Sequence, residues 1–270
     1  MADPVQEFAI WRWRQQKVSQ VRDLVVVEEP LEIRLSGEPF QVLLRLPGLE
    51  KELALGFLFT EGLIKGLDEV VSLHFCGSGT DPLLPPNVVD IRLKDPARQR
   101  QNRRHLEVAY SSCGLCAKEA VAEIRRWVPS VTSPLTLAPE TLLGLMARLE
   151  ENQKVYQATG GTHAVALASP DGNTFIFAED IGRHNALDKV IGRGLWERRD
   201  FGQLVALLSG RASFEMVLKT ARAGIPLLAA VSAPTTMAVE LAREVHLTLA
   251  GFTRGERLNI YTHPQRLGIE

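Results

Sequence analysis

Two of the chain's three cysteines stand in the run Tyr110-Ser111-Ser112-Cys113-Gly114-Leu115-Cys116-Ala117-Lys118. The spacing Cys-x-x-Cys serves three chemistries: half of a zinc site, a dithiol redox pair, or a reactive thiolate. This run lies where a polar loop gives way to a helical pattern. The positive end of a helix and the Lys118 ammonium both favour the charged form of sulfur, so a nucleophilic thiolate is the first reading. Zinc would need four ligands. The remaining cysteine is Cys76, and the six histidines, at 74, 105, 163, 184, 246 and 263, show no paired spacing. No structural zinc is therefore expected. A thioredoxin-like pair opens the first helix after a first strand, whereas a long stretch of other sequence precedes Cys113. Gly114 and the two serines keep the loop small and accessible.

A second group of residues suits anions. Four polar segments follow or precede apolar runs: Gly160-Gly161-Thr162-His163, Glu179-Asp180-Ile181-Gly182-Arg183-His184-Asn185, Ser209-Gly210-Arg211-Ala212-Ser213 and Ser232-Ala233-Pro234-Thr235-Thr236. Ser213 and Thr235 suit helix caps, and Asp180 with Arg183 suits a salt bridge. His184 and Asp188 are spaced to meet on one helix face. Taken together, Arg183, His184, Ser209, Arg211 and Ser232, with backbone N–H groups at helix starts, make an anion pocket. Phe252-Thr253-Arg254-Gly255-Glu256-Arg257 adds two further arginines around a glycine that permits close backbone approach. No Walker loop or Gly-x-Gly-x-x-Gly fingerprint occurs, so common ATP or NAD chemistry is not indicated.

The elements needed to position these groups are readable. Residues 21–46 are extended, with a turn at Ser36-Gly37. Helical spacing over 49–59 follows, ending at Glu61-Gly62, and its apolar part, 52–59, is a candidate contact between copies. Strands are expected over 70–75 and 88–93. Residues 95–104 are polar and basic. Helices are expected over 117–127 and 139–152, and strands over 164–168 and 174–177 flank a hairpin turn. A helix runs from the 180–185 segment to about Ile191. From there the order is strand 203–208, helix 213–223, strand 225–231, helix 234–244, strand 246–250 and a last strand over 258–261. Such alternation argues for an α/β layer of parallel strands. In such sheets ligands collect beyond the C-terminal strand ends, where the four polar segments fall. Trp11-Arg12-Trp13-Arg14 has the alternation of an edge strand.

Bulk properties narrow the class. A chain of 270 residues allows one large domain or two small ones. A division near residue 105 is expected: a smaller α+β part over 1–105, completed by the C-terminal strand within 256–270, and an α/β part over 106–255. A net charge of −1 speaks against a nucleic-acid binder. No apolar run reaches membrane-spanning length, and residues 1–6 lack a signal-peptide layout, so a cytoplasmic protein is expected. An odd cysteine count fits a reducing compartment.

The motifs in this order resemble the FdhD family. The resemblance runs from about Leu24 to Leu267, through Glu52-Leu53-Ala54-Leu55-Gly56-Phe57-Leu58-Phe59-Thr60-Glu61-Gly62, the Cys113–Cys116 run, Thr159-Gly160-Gly161-Thr162-His163-Ala164, residues 179–192, residues 209–214, Ser232-Ala233-Pro234, residues 251–255 and Tyr261-Thr262. Ala117 stands where the pattern expects glycine, and Ser36 where it expects asparagine. The resemblance implies a sulfurtransferase required for formate dehydrogenase. A cysteine desulfurase supplies sulfur to Cys113 as a persulfide, and Cys116 assists or relays it. The sulfur then passes to molybdenum or tungsten in bis-molybdopterin guanine dinucleotide, before insertion into the formate dehydrogenase catalytic subunit. Phe252, Thr253, Arg254, Gly255, Glu256 and Arg257 match the cofactor-binding segment, where a GDP-like nucleotide would also fit. The implied fold is α+β overall, with a cytidine-deaminase-like three-layer α/β domain, in a homodimer. A deaminase would need His-x-Glu followed by Pro-Cys-x-x-Cys. Here His163 precedes Ala164-Val165 and the cysteines come first, so deamination is not expected. A non-catalytic cofactor-binding chaperone and a thiol-disulfide oxidoreductase are the competing readings.

Overall fold

The computed structural model describes residues 3–76, 87–95 and 128–269, and elements are numbered over these. The chain opens with an antiparallel ribbon of β1 (Val5–Arg14) and β2 (Lys17–Val26), joined by Gln15 and Gln16 at positive φ, 51° and 62°. Two successive left-handed residues give the turn a twist that matches a two-residue hairpin. Trp11 and Trp13 lie on this ribbon, 72% and 69% exposed. A four-stranded sheet follows in the order β4-β3-β6-β5, from β3 (Glu29–Leu35), β4 (Glu38–Arg45), β5 (Val70–Cys76) and β6 (Val88–Leu93). In β3, Leu31, Ile33 and Leu35 are buried while Glu32 and Arg34 are half-buried, the alternation of a sheet with one covered face. The cover is α1 (Glu50–Thr60), whose Leu53, Leu55 and Leu58 pack with Leu31, Ile33 and Ile91 in one core. The helix expected to offer an apolar face to another copy is therefore spent inside the molecule.

The second sheet has six strands in the order β12-β11-β10-β9-β7-β8. They are β7 (His163–Ala168), β8 (Phe175–Asp180), β9 (Val205–Leu208), β10 (Leu227–Ala230), β11 (Thr248–Arg254) and β12 (Arg257–Thr262). β9, β10 and β11 are mutually parallel, but β7 is antiparallel to β9, and β8 and β12 are antiparallel to their neighbours. The layer is thus mixed rather than parallel throughout: the short links 169–174 and 255–256 allow only hairpins, while α5 (Phe214–Arg222) and α6 (Thr236–Glu244) supply the crossovers that parallel pairing needs. β12 pairs with β11 at the edge of this sheet, so the C-terminal strand does not complete the N-terminal part. The expected division near 105, like the helix over 117–127, lies outside the described residues.

Both faces of the six-stranded sheet are covered. One carries α2 (Pro139–Asn152), through Leu142, Leu145, Met146 and Leu149. The other carries α4 (Arg183–Trp196), α5 and α6. A short helix not foreseen from sequence, α3 (Lys154–Thr159), follows α2. β7, β9 and β10 read as continuous apolar runs because neither of their faces meets water. The fold is a mixed α/β arrangement, α+β overall. Among the described residues no helix is long and apolar enough to cross a membrane.

The N-terminal part is seated on this layer through α1 and α4. They cross at Gly56 and Gly192: a Cβ on Gly56 would stand 1.8 Å from the Asp188 carbonyl oxygen, and one on Gly192 would stand 1.8 Å from that of Glu52. Only glycine at both positions lets the backbones approach this closely. Around the crossing lie two buried polar clusters. Lys219 Nζ reaches Asp188 Oδ2 at 2.8 Å, Thr60 Oγ1 at 2.8 Å and Glu61 Oε1 at 3.1 Å, and Arg222 donates to the Thr60 carbonyl. Burial works against the Lys219 charge, but Asp188 and Glu61 outweigh it and hold its pKa above the ordinary lysine value. In the second cluster Lys189 Nζ lies 2.7 Å from Asp180 Oδ2 and donates to the Leu46 carbonyl at 2.8 Å. Both Lys189 and Asp180 are buried.

Candidate functional site

Strand direction decides what meets at the sheet edge. β9, β10 and β11 run parallel, so Ser209, Ser232 and Gly251 leave the sheet on the same side. β7 runs opposite to β9, which puts its first residue, His163, on that side too. His163 is in register with Asp180, the last residue of β8, and α4 begins three residues later at Arg183. Arg211 sits between β9 and α5. The edge therefore gathers His163, Arg183, His184, Ser209, Arg211 and Ser232, together with the N-termini of α4, α5 and α6.

Backbone contacts fix the loops in place. Ser209 N–H donates to the Ala164 carbonyl at 3.0 Å, and Ser209 Oγ accepts from Ala164 N–H at 2.8 Å. Ala212 and Pro234 form an isolated parallel bridge, with Thr235 N–H donating to the Ala212 carbonyl at 3.0 Å. Phe252 N–H donates to the Ser232 carbonyl at 3.2 Å. Gly251 has no room for a side chain, since a Cβ would meet Pro234 Cδ at 3.0 Å and Tyr261 Cε2 at 3.1 Å. Phe252 follows at φ 53°, a left-handed conformation that is rare for bulky residues and marks a constrained position beside this edge.

The charges of the edge are predominantly cationic. His163 is half-buried, and its pKa is lowered from the ordinary 6.5 by burial first, then by the charges of Arg183, Arg211 and His184. His184 Nε2 lies 2.7 Å from Glu215 Oε2, close but not aligned as a hydrogen bond. The proximity of His184 holds the Glu215 carboxyl below its ordinary value, against the effect of burial. Asp180 is engaged by Lys189, Leu46 N–H, Gly182 N–H and Asn185. Glu179 caps α3 by accepting from Val155 N–H at 3.0 Å, Tyr156 N–H at 2.8 Å and Thr162 Oγ1 at 2.8 Å.

Several pairings read from sequence are different in the fold. Asp180 takes Lys189, not Arg183, because α4 turns its buried seventh residue, and not its first, toward the strand end. His184 and Asp188, one turn apart on α4, each take a partner one turn apart on α5: His184 lies against Glu215, and Asp188 binds Lys219 and accepts from Thr60, so the His184–Asp188 pair does not form. Thr235 caps α6 through Ala238 N–H at 3.3 Å. Ser213 makes no such bond: its Oγ is buried and, among the described residues, unpartnered. Arg183 Nε and Thr253 Oγ1 share that condition. Buried donors without partners are uncommon in folded proteins and suit an incoming acceptor. The segment 252–257 forms the end of the β11–β12 hairpin, with Arg254 opposite Arg257 across Gly255-Glu256. Arg254 is exposed, and its Nε lies 3.6 Å from Glu150 Oε1. Cys113 and Cys116 lie outside the described residues. Lys189 and Lys219 had no distinguishing signal in the sequence, since a buried lysine inside an amphipathic helix looks like any surface lysine until its partners are known.

The fold and this edge define an α+β protein with a cationic, donor-rich edge at the ends of its parallel strands. A model of the FdhD/NarQ family matches residues 26–268. The chain is 47% identical over 251 residues to a protein of Nocardia farcinica named sulfur carrier protein FdhD, covering 91% of this chain and 88% of that one. It is 42% identical over 261 residues to an Anaeromyxobacter protein of the same name, covering 92% and 90%. Among solved structures, a protein of Desulfotalea psychrophila named as a formate dehydrogenase accessory protein superimposes with a TM-score of 0.78 at 24% identity, over 98% of this chain and 100% of that one. The chain belongs to the FdhD/NarQ family.

Proposed function

We propose that this chain is a sulfur carrier for the maturation of formate dehydrogenase. The observation that carries this reading is the convergence of Arg183, His184, Ser209, Arg211 and Ser232 at one sheet edge, in a chain whose relatives are named sulfur carriers. Cys113 receives sulfur from a cysteine desulfurase. Its thiolate takes the outer sulfur of the desulfurase persulfide and releases the desulfurase thiolate, so one sulfur atom is gained and no electrons are lost. Cys116 assists or relays that sulfur. The acceptor, as substrate, is the molybdenum or tungsten centre of bis-molybdopterin guanine dinucleotide, which is later inserted into formate dehydrogenase.

The residues present fit the anionic part of such a substrate. Diphosphates need several fixed N–H donors and positive charge, and the edge offers three helix starts, two arginines and the unpartnered Arg183 Nε and Ser213 Oγ. Residues 252–257 lie next to Ser232 through Phe252 and extend the edge toward a second pair of arginines.

The test is direct. The protein is incubated with a cysteine desulfurase and L-cysteine, and its cysteine peptides are weighed. One added sulfur on the peptide holding Cys113 and Cys116, lost on reduction, is expected. Cys113→Ala should abolish both the added sulfur and formate dehydrogenase maturation, at unchanged thermal stability. Full maturation by that variant would leave a non-catalytic cofactor chaperone as the better reading.

A further inference from the structure

We propose that His163 is a ligand-dependent proton acceptor of this edge: a phosphate group entering between His163, Arg183 and Arg211 binds together with one proton, which His163 takes up from solvent. This rests on the reading of the edge as an anion site. His163 begins β7 at the level where Ser209 and Gly210 leave β9, and a side chain at Gly210 would stand 3.3 Å from its Nδ1. The glycine thus leaves open the space in front of the imidazole. Ser209 Oγ, in that loop, is already held by Ala164 N–H.

Among the described residues, the surroundings of His163 hold positive charge and no spare negative charge. At the same sheet edge, Arg183 and His184 open α4 and Arg211 stands in the loop before α5, and their charges act on the ring. The neighbouring carboxylates are committed: Asp180 to Lys189, Glu179 to Thr162 and the start of α3, Glu215 to His184. In the free protein this keeps the imidazole neutral near pH 7, with burial as the larger cause and the arginines adding to it. A bound phosphate reverses the second effect. It places negative charge among Arg183, Arg211 and His163, screens the arginines from the ring, and can accept from a protonated imidazole. His163 would then measure how much negative charge the ligand carries: a terminal or dianionic phosphate recruits the proton, and a singly charged diester recruits less of it. Among the described residues, no other titratable group of the edge is free for this role, because His184 already lies against Glu215.

The experiment is calorimetric titration of the full chain with GDP at about pH 7, in buffers of different ionisation enthalpy, beside the variant His163→Gln. The ligand's own ionisation is common to both chains and cancels in the comparison. The wild type is expected to take up more protons per GDP than the variant, by a difference approaching one, and its affinity should rise by up to about tenfold per pH unit as pH falls through the window between the bound and free pKa of His163. Histidine ring NMR of the wild type provides the second measurement: the His163 titration should lie below 6.5 in the free protein and move upward at saturating GDP. This measurement stands even if the variant folds poorly. Equal proton uptake by the two chains, or a His163 titration unmoved by GDP, overturns the inference and leaves the anion site intact. Absence of GDP binding to the wild type overturns both.

Discussion

Arg211 and Arg254 bring the same charge to different parts of the edge. Arg211 follows β9 and is one of the charges that act on His163, while Arg254 sits on the β11–β12 hairpin with a long, exposed approach to Glu150. An exposed pair of that kind contributes about 1 kcal/mol or less to stability. Arg211→Ala and Arg254→Ala should therefore both leave thermal unfolding nearly unchanged. A charge-assisted hydrogen bond to phosphate contributes about 1.5–3 kcal/mol, so Arg211→Ala should weaken GDP binding roughly ten- to hundredfold. Arg254→Ala is expected to weaken it too, and unchanged binding in that variant would detach the hairpin from the nucleotide site. Acid stability gives a further check. The pKa of His163 is depressed in the folded chain, so its contribution is fully present above the ordinary 6.5 and is lost as pH falls from there toward the folded value. The wild type should lose stability over that window relative to His163→Gln, as followed by urea unfolding at a series of pH values. The sequence revealed these polar residues by type and by their place after apolar runs. It did not reveal which carboxylate each would meet, because partner choice depends on the phase of α4 against β8.

Among the elements, α1 and α4 show how little of a contact is visible in a local pattern. Gly56 and Gly192 are helix-interior glycines, a costly choice by local propensity, yet glycine is the only residue that fits the crossing at either position. Gly56→Ala should destabilise the protein by about 3 kcal/mol or more, since the new methyl meets a backbone carbonyl that cannot move aside. Gly144 is the contrasting case: it lies within α2 with open space around its Cβ position, so Gly144→Ala should stabilise by about 0.5–1 kcal/mol. Urea midpoints of the two variants check the pair. Strand and helix identities from α1 to β12 were largely legible, because buried strands are short apolar runs and the helices carry apolar faces. Strand direction was less so. The antiparallel places of β7 and β12 depend on long-range pairing with β9 and β11, which alternation of strands and helices does not encode. The six-residue α3 escaped notice because its N-terminal donors are satisfied from afar by Glu179.

On the scale of the whole molecule, Lys219 ties the N-terminal part to the α/β layer. It belongs to α5, pairs with Asp188 of α4, and reaches Thr60 and Glu61 at the end of α1. Removing one member of a buried ion pair costs about 3–5 kcal/mol, because the other charge stays buried alone. Lys219→Met should lower stability by that amount in urea unfolding, and adding Asp188→Asn should recover part of it, since the more deeply buried of the two carboxylate charges is then gone and only the part-exposed Glu61 is left without its lysine. An unimproved double variant would mean that the hydrogen bond to Thr60, rather than the charge pair, holds the junction. The amino-acid sequence by itself determined the family motifs, the cysteine spacing, most of the secondary structure and the set of polar groups available for anion binding, since these follow from residue type and local period. Only the tertiary structure decided that Ser209, Ser232 and His163 share one sheet edge, that Asp180 and Asp188 each take a lysine, and that the apolar helix α1 is internal. Those outcomes rest on strand order and helix crossing, in which residues more than a hundred positions apart, such as Thr60 and Asp188 or Leu46 and Asp180, are brought within hydrogen-bonding distance.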